Sequence, residues 1–269
     1  MTLPAVSLDA LEQVATEAAR AAGAILRTNF DQAKQLRFKE GIHNIVTDSD
    51  LAAEQRIVDI IHDVFPDHAI LAEESGAQQQ ASAYRWIVDP LDGTVNFAHG
   101  IPIFSISIAV EWHGTVVVGV VYHPLLDELF IARKGGGAYL NGRPLRVSTC
   151  AQLADAFLVT GFPYNIASFP EYREWHFPAL VRRGIPIRRL GSAALDLAYV
   201  AAGRFDGFWE VGLQPWDIAA GVLLVAEAGG RITSYDGGPH TLTTRTIVAT
   251  NGAIHDEFIA FLNSTPNEV

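Results

Sequence analysis

Two aspartates and a threonine lie close together in the stretch WIVDPLDGTVNF, residues 86–97. Asp89 and Asp92 follow an apolar run that predicts a short buried strand, and Thr94 comes two residues later. We expect Pro90 to end the hydrogen-bonded ladder of that strand, because proline has no backbone N–H. Two carboxylates side by side in a low-dielectric site need a proton or a cation between them. Together with a hydroxyl and free backbone amides, they suit a divalent metal and a phosphate, although a plain turn or cap gives the same pattern.

More acids occur at the ends of other predicted elements. Glu73 and Glu74 follow an apolar strand signal, so one should project toward whatever the strand end faces, although adjacent glutamates are often only solvated. Asp217 lies in the first turn of a helix that begins at Pro215, where an acid commonly only satisfies the helix dipole. If one glutamate and Asp217 converge with the central aspartates, only divalent cations can offset the repulsion. The four acids in question are Glu73, Asp89, Asp92 and Asp217.

The spacing of residues does not fit the phosphatase mechanisms that use a covalent nucleophile. A phosphocysteine loop would need an arginine where Ala156 follows Cys150, and an aspartyl-phosphate motif would need an acid at Leu91. A phosphohistidine motif would need an arginine where Ala98 precedes His99, and no Walker lysine follows a glycine loop. The remaining hypothesis is water activated by metal. More than one ion is expected, because phosphate monoesters are among the slowest compounds to hydrolyse.

Length and composition narrow the class of protein. The chain has 269 residues, 49% of them hydrophobic, and a net charge of −11. This charge argues against direct binding to nucleic acid or to an anionic membrane. Cys150 is the single cysteine, which excludes an internal disulfide and favours a reducing, cytoplasmic location. We see no signal peptide and no apolar run near the ~20 residues that cross a bilayer.

Hydrophobic periodicity predicts alternating helices and strands without a linker, hence one layered domain with two lobes, 1–150 and 151–269. The predicted strands are 68–72, 86–88, 103–110, 115–122, 128–133, 157–160, 187–190, 205–210 and 247–249. The predicted helices are 7–30, 47–66, 171–183, 192–203, 215–230 and a last one from about 253. His113-Gly114 predicts a hairpin turn and the glycine run 135–137 another turn.

Three ordered motifs resemble those of the inositol monophosphatase family, and more closely its bacterial extragenic-suppressor-type branch. They are LAEESG at 71–76, WIVDPLDGTVNF at 86–97 and GSAALDLAYVAAGRFDGFWEVGLQPWDIAAG at 191–221. The resemblance covers nearly the whole chain. It implies a mixed α/β (α+β) fold, a layered αβαβα sandwich, and an enzyme that hydrolyses inositol 1-phosphate or a similar small polyol phosphate. It also implies Mg²⁺, with Mn²⁺ possible, inhibition by lithium and a homodimer.

The resemblance also implies roles for individual residues. One ion would be held by Glu73, Asp89 and the carbonyl of Leu91, a second by Asp89, Asp92 and Asp217, and a third, weaker one by Glu73 partly through water. The catalytic residues would be Thr94, Asp50 and Glu73, with the Thr94 hydroxyl hydrogen-bonded to Asp50 and orienting the attacking water. The positions expected to bind substrate are Lys39, Leu91, Asp92, Gly93, Thr94, Gly191, Ser192, Ala193, Glu210 and Asp217. Among these, the amides of Gly93 and Thr94 would hold phosphate and Glu210 would contact polyol hydroxyls.

Asp50 has two competing interpretations. Thr47 with Asp50 three residues later resembles a capping box, in which Asp50 accepts a hydrogen bond from the Thr47 amide. The family role instead directs Asp50 to Thr94. We favour the second interpretation, because Thr47 alone can cap that helix.

Two alternatives to an inositol phosphate phosphatase remain open: a phosphatase with another substrate, and a regulatory protein. Relatives of this fold hydrolyse histidinol phosphate, fructose 1,6-bisphosphate or adenosine 3′,5′-bisphosphate; the acid Glu210 favours a polyol, and we expect Phe208 and Trp209 to be core residues and not a base-stacking platform. A regulatory role is also open, because bacterial relatives can associate with the transcription machinery. The dense basic cluster that could serve it is Arg182, Arg183, Arg188 and Arg189, although a solvated face or a dimer contact would look the same.

Overall fold

The computed structural model describes residues 6–32, 36–38, 45–78 and 81–265. Within these ranges the α-helices are α1 (Leu8–Asn29), α2 (Asp48–Val64), α3 (Thr94–Ala98), α4 (His176–Arg182), α5 (Ala193–Ala201), α6 (Pro215–Glu227) and α7 (His255–Asn263). In the part of the chain that is described, no helix is both long enough and apolar enough to cross a bilayer.

The strands form two large sheets and a small ribbon. The ribbon pairs β1 (Leu36–Phe38) with β2 (Ile45–Thr47). The first sheet has the order β10-β9-β8-β7-β6-β5-β3-β4, built from β3 (Ala69–Ala72), β4 (Gly76–Gln78), β5 (Tyr84–Asp92), β6 (Ser105–Trp112), β7 (Thr115–His123), β8 (Glu128–Arg133), β9 (Gly137–Leu140) and β10 (Arg143–Pro144). The second has the order β12-β11-β13-β15-β14, built from β11 (Leu158–Thr160), β12 (Ile187–Arg188), β13 (Gly207–Val211), β14 (Arg231–Thr233) and β15 (Thr246–Thr250).

The helices and sheets stack in five layers. Helices α1 and α2 pack on each other and on one face of the first sheet. Helices α5 and α6 pack on the other face of that sheet and also contact strands of the second sheet. A further apolar cluster joins the second sheet to α4 and α7. This arrangement is the αβαβα sandwich that the resemblance implied, because each apolar helix stripe and sheet face is buried against the next layer.

The first two helices begin as the sequence predicted. Ser7 Oγ accepts a hydrogen bond from the amide of Ala10 at the start of α1, and the apolar stripe of α1 is buried. Thr47 and Asp50 form a capping box at the start of α2. Both helices therefore present a fixed apolar face to the sheet, and α2 brings Asp50 to a defined place at its first turn.

The prediction that Pro90 stops the hydrogen-bonded ladder of the central strand is confirmed only in part. Strand β5 continues through Pro90 to Asp92, and its pairing with β6 is interrupted only between Asp89 and Asp92. Proline is tolerated at such an irregularity because the position needs no donor to the ladder. The consequence is functional: the interruption leaves both aspartates on a backbone that sheet pairing fixes on either side.

The helix expected over 171–183 is shorter than predicted, because α4 begins at His176. Pro178 explains the difference. A helix that started at 171 would place Pro178 in its interior, where it could not donate to Glu174 and its ring would clash with that carbonyl. With the start at His176, the proline lies in the first turn, where no donor is required.

Both predicted turns are confirmed. His113 and Gly114 connect β6 to β7 with positive φ angles of 47° and 76°. The glycine run ends β8 and begins β9, and it is tied to α6 because Glu227 accepts hydrogen bonds from the amides of Gly135 and Gly137. This run is a turn and not a nucleotide loop.

Candidate active site

One cavity of about 170 Å³ lies where the ends of β3 and β5 meet the starts of α3 and α6. Eight residues that the sequence singled out line it: Glu73, Asp89, Leu91, Asp92, Gly93, Thr94, Gly191 and Asp217. Because these positions are spread over some 140 residues of sequence, their convergence is a property of the fold and not of a local turn.

The two central aspartates are buried and held by hydrogen bonds. Asp89 is 2% exposed, and its Oδ1 accepts from the amide of Leu91 at 3.0 Å. Asp92 reaches the start of α5, where its Oδ2 accepts from Ser192 Oγ at 2.8 Å and from the amide of Ala194 at 2.7 Å. Each carboxylate therefore has a fixed orientation before any ligand binds.

Glu73 is positioned by a residue that the sequence did not single out. Its amide donates to the carbonyl of Val88, which ties the end of β3 to β5. The next two amides, those of Glu74 and Ser75, donate to the two carboxylate oxygens of Glu54 at 2.8 Å each. Glu54 lies on α2 and is 5% exposed. Glu54 was not singled out from the sequence, because only tertiary packing shows that its side chain faces this turn.

Asp217 has the capping role that a first-turn acid usually has, together with its place at the cavity. Its Oδ2 accepts from the amide of Gln214 at 2.6 Å, which fixes the side chain at the start of α6. The structural and functional interpretations of this residue are therefore compatible, since the cap orients the carboxylate that lines the cavity.

The electrostatics of the cavity favour an added positive charge. Burial, followed by repulsion from Glu73, Asp92 and Asp217, raises the pKa of Asp89 well above its usual range. Burial raises the pKa of Asp92 to about 6, although hydrogen bonds from Ala194 and Ser192 oppose the shift. Protons or cations must offset this repulsion.

The donor set fits hard divalent ions. Carboxylate oxygens and the adjacent Leu91 carbonyl are the ligands that Mg²⁺ and Mn²⁺ prefer. Across the described ranges, no three His, Cys, Asp or Glu side chains are grouped closely enough to form a ready-made metal centre.

Asp50 satisfies both of its competing interpretations, one with each carboxylate oxygen. Its Oδ2 accepts from the Thr47 amide at 2.9 Å, as a capping box requires. Its Oδ1 lies 2.9 Å from Thr94 Oγ1, which is also 2.9 Å from the Leu91 carbonyl. Burial raises the pKa of Asp50 to about 6, although bonds from Thr47 and Thr94 oppose it. Capping and contact with Thr94 were thus not alternatives.

Close backbone packing joins the two halves of the chain at the cavity. Gly93 has a φ of 103°, and a Cβ there would lie 3.2 Å from the carbonyl oxygen of Gly191. The Asn96 side-chain amide donates to the carbonyls of Ile103 at 2.8 Å and Leu190 at 2.7 Å. These contacts hold the loop before α5 against the turn that carries Thr94.

A second, larger cavity of about 910 Å³ adjoins the first and shares Glu73, Asp92, Gly191 and Asp217 with it. Ser192, Ala193 and Glu210 line this cavity, as does Arg189. Phe208 and Trp209, by contrast, are 0% and 2% exposed and belong to apolar clusters, so they are core residues.

Gly161 makes room for the Glu210 carboxylate. A Cβ at position 161 would lie 2.5 Å or less from three atoms of that carboxylate. Burial, followed by the charges of Asp217 and Asp92, raises the pKa of Glu210 well above its usual range, and Arg189 opposes the shift. Gly161 could not be singled out from the sequence, because its closeness to Glu210 depends on the pairing of β11 with β13.

The remaining predicted residues are Lys39 and the four arginines of the basic cluster. Lys39 lies outside the described residues. The four arginines of the basic cluster are exposed, but they face different neighbours. Arg183 stacks on Phe261 and Arg188 on Phe157, while Arg189 lines the larger cavity.

Comparison with known proteins agrees with this site. The model of the inositol monophosphatase family matches residues 7–266. The chain is 46% identical to an inositol-1-monophosphatase of Synechocystis sp. over 94% of this chain and 89% of that protein. It is 44% identical to Nus factor SuhB of Escherichia coli K12 over 92% of this chain and 93% of that protein.

Solved structures give the same result. An inositol monophosphatase from Anabaena (Nostoc) sp. superposes with a TM-score of 0.87 at 44% identity, covering 97% of this chain and 98% of that one. The match extends over both sheets and over the motifs at the cavity, and it shows the family of this chain. This chain is a phosphatase of the inositol monophosphatase family.

Proposed function

We propose that the protein is a Mg²⁺-dependent phosphomonoesterase that hydrolyses inositol 1-phosphate or a similar small polyol phosphate through attack by water. The observation that carries the proposal is the convergence of four carboxylates with the Thr94–Asp50 pair around one cavity. The name of the Synechocystis relative, inositol-1-monophosphatase, supports the substrate class.

Bound divalent ions would supply charge neutralisation, activation of water and stabilisation of the leaving oxygen. Two or three ions are proposed, held by Glu73, Asp89, Asp92, Asp217 and the carbonyl of Leu91. Mn²⁺ is a possible substitute for Mg²⁺, and lithium is expected to inhibit.

Thr94 and Asp50 would handle the proton of the attacking water. The Thr94 hydroxyl has one hydrogen, so it can donate to either Asp50 or the Leu91 carbonyl at a given moment. When it donates to Asp50, its oxygen can accept a hydrogen bond from water. Asp50 in its ionised form then receives the proton through the hydroxyl.

Other chain atoms would hold the substrate. The amides of Gly93 and Thr94, at the start of α3, would bind phosphate oxygens. The larger cavity would take the polyol, with Glu210 and the segment Gly191-Ser192-Ala193 facing its hydroxyls. We expect Lys39 to contribute near the phosphate.

The test is phosphate release from inositol 1-phosphate with Mg²⁺ and with a chelator. We expect turnover with the metal and none without it. A parallel panel of histidinol phosphate, fructose 1,6-bisphosphate and adenosine 3′,5′-bisphosphate assigns the substrate by comparison of kcat/KM. If the protein releases phosphate from none of these compounds, the proposed activity is refuted.

A second candidate function is binding to the transcription machinery, favoured by the name Nus factor SuhB of the Escherichia coli relative. The exposed Arg182 and Arg183 would be the basic contact. We expect pull-down of RNA polymerase or its factors to be lost in the double variant Arg182→Ala/Arg183→Ala while turnover is retained.

A homodimer, which the family resemblance implies, is tested by sedimentation of the purified protein. If the double variant Arg182→Ala/Arg183→Ala became monomeric, these arginines would be dimer contacts.

A further inference from the structure

Asp196 is a buried acid at the wall of the larger cavity that the proposed mechanism does not use. It lies in the first turn of α5, is 1% exposed and lines the cavity together with Glu210. Its Oδ1 has no hydrogen-bond partner among the residues that the structure describes. Buried polar atoms in proteins are nearly always paired, so an unpaired carboxyl oxygen beside a cavity needs an explanation.

Capping of helix α5 does not explain Asp196. Ser192 Oγ already accepts from the amide of Leu195, and Asp92 Oδ2 accepts from that of Ala194. The amide groups at this helix start are therefore served by other residues, and the side chain of Asp196 is not required as a cap.

An ion pair does not explain it either. The charged groups that influence Asp196 are the acids Glu210 and Asp92 and the base Arg189. Arg189 is exposed, donates to the carbonyl of Phe162 and lies over that ring. Burial, followed by repulsion from Glu210, raises the pKa of Asp196 well above its usual range, which favours the neutral form of the side chain over the charged one. A neutral carboxyl group can both accept and donate one hydrogen bond.

The chemistry of a matching ligand follows from this wall. Glu210 and Asp196 both line the cavity, and within the described ranges Asp196 Oδ1 is without a hydrogen-bond partner. A ring with hydroxyl groups on more than one carbon supplies several donors in a compact shape, whereas a planar base supplies few. The cavity therefore suits the hydroxyl-rich end of a phosphorylated polyol, remote from the phosphate.

We propose that Asp196 is a specificity-determining residue that binds a substrate hydroxyl in the larger cavity, separate from the hydroxyls that Glu210 faces. The inference rests on the proposed function, because it requires a polyol phosphate as substrate. It adds a second acid to polyol recognition, and it explains why the fold retains a buried carboxyl group without a partner.

The test compares selectivity in Asp196→Leu with that of the unmodified protein. Selectivity is kcat/KM for inositol 1-phosphate divided by that for p-nitrophenyl phosphate, which has no hydroxyl beyond its ester. We expect the ratio to fall about tenfold, because leucine fills the space but binds no hydroxyl. Asp196→Asn keeps an oxygen acceptor of the same shape and should retain most of the ratio. Asp196→Ala replaces the leucine variant if that variant does not fold.

Two controls separate this role from a structural one. Asp155→Asn removes an exposed carboxylate from the same half of the chain and should leave the ratio unchanged. The Mg²⁺ concentration that gives half-maximal rate should be the same in the leucine variant, which shows that the metal cavity is intact.

Three outcomes are decisive. A tenfold fall in the leucine or alanine variant, with retention in the asparagine variant, supports the role of Asp196. An unchanged ratio in a folded leucine or alanine variant overturns it and leaves the proposed function standing. If the unmodified protein shows no preference for the polyol phosphate, the substrate class fails and the role of Asp196 fails with it.

Discussion

The two adjoining cavities bury carboxyl groups in opposite ways. In the smaller one, Asp89 and Asp92 accept hydrogen bonds from backbone amides and a hydroxyl, which orient them as ligands. In the larger one, Asp196 has an oxygen that no described residue pairs with, and it lines the cavity together with Glu210. We propose that the anchored acids, which repel one another, bind cations, and that the unanchored acids bind a ligand that brings its own hydrogen-bond donors. Acidic residues would thus bind cations at one end of the site and hydrogen-bond donors of the substrate at the other.

Asp92→Asn should have the largest effect, because it removes one charge from the anchored group. We expect kcat to fall by at least ~10²-fold, beyond what loss of a supporting contact around a metal costs. The amide oxygen of asparagine can still accept from Ser192 and Ala194, so the melting temperature should not fall. Steady-state kinetics and thermal unfolding measure both. If the variant kept its activity, Asp92 would not act as a metal ligand, and the proposed difference between the two cavities would be wrong.

Asp50→Asn should come next, with a fall in kcat of about 10²-fold, typical of a lost general base. In the unmodified enzyme the rate should rise with pH through about 6, because Asp50 must be ionised to accept the proton and its pKa is about 6. The pH–rate profile of both proteins is the measurement. If the variant kept the same acidic limb, another group would be responsible for it.

Glu54→Gln tests the support of the anchored acids without touching them. Glutamine presents one oxygen and one NH₂ group to the two amides of Glu74 and Ser75, so one hydrogen bond is lost. We expect Mg²⁺ affinity to weaken about 10-fold, by analogy with other residues that orient metal ligands. Calorimetric titration of Mg²⁺ gives the value directly. Gln55→Glu, on the neighbouring exposed position of α2, should leave it unchanged.

The smallest effect is on stability as a function of pH. Asp50 and Asp92 have pKa values of about 6 in the folded protein, above the usual carboxyl value of 3.8. Between pH 4 and 6 the folded chain therefore holds more protons than the unfolded chain, so this contribution to stability is complete below pH 4 and is lost as pH rises through 6. With a chelator present, the melting temperature should fall over that interval by about 2–4 °C for each kcal/mol lost.

Added Mg²⁺ should reverse that fall at pH 7, because ions bound by the anchored acids favour the folded state. A scan of melting temperature against pH, with chelator and with Mg²⁺, measures the difference. Identical curves would mean that no divalent ion binds these carboxylates.

The sequence singled out the anchored acids of the smaller cavity, but it missed Glu54 and Asp196. Asp89, Asp92 and Asp217 stand at element ends that hydrophobic periodicity and helix-start signals reveal. Glu54 and Asp196 lie inside helical patterns, and their importance depends on which turn or strand faces them after packing. Gly161 is likewise defined by the neighbouring strand. Short-range patterns therefore located residues at the ends of elements, while tertiary neighbours decided the others.

The layered position of α5 and α6 has a consequence for synthesis of the chain. The first sheet is complete by Pro144, but its inner face is covered only by residues 193–227. The apolar face stays uncovered while the ribosome adds more than 80 further residues, and exposed apolar surfaces are prone to aggregation. We therefore expect nascent chains stalled near position 190 to bind chaperones more strongly than chains released from the ribosome, in which α5 and α6 can both pack on the sheet.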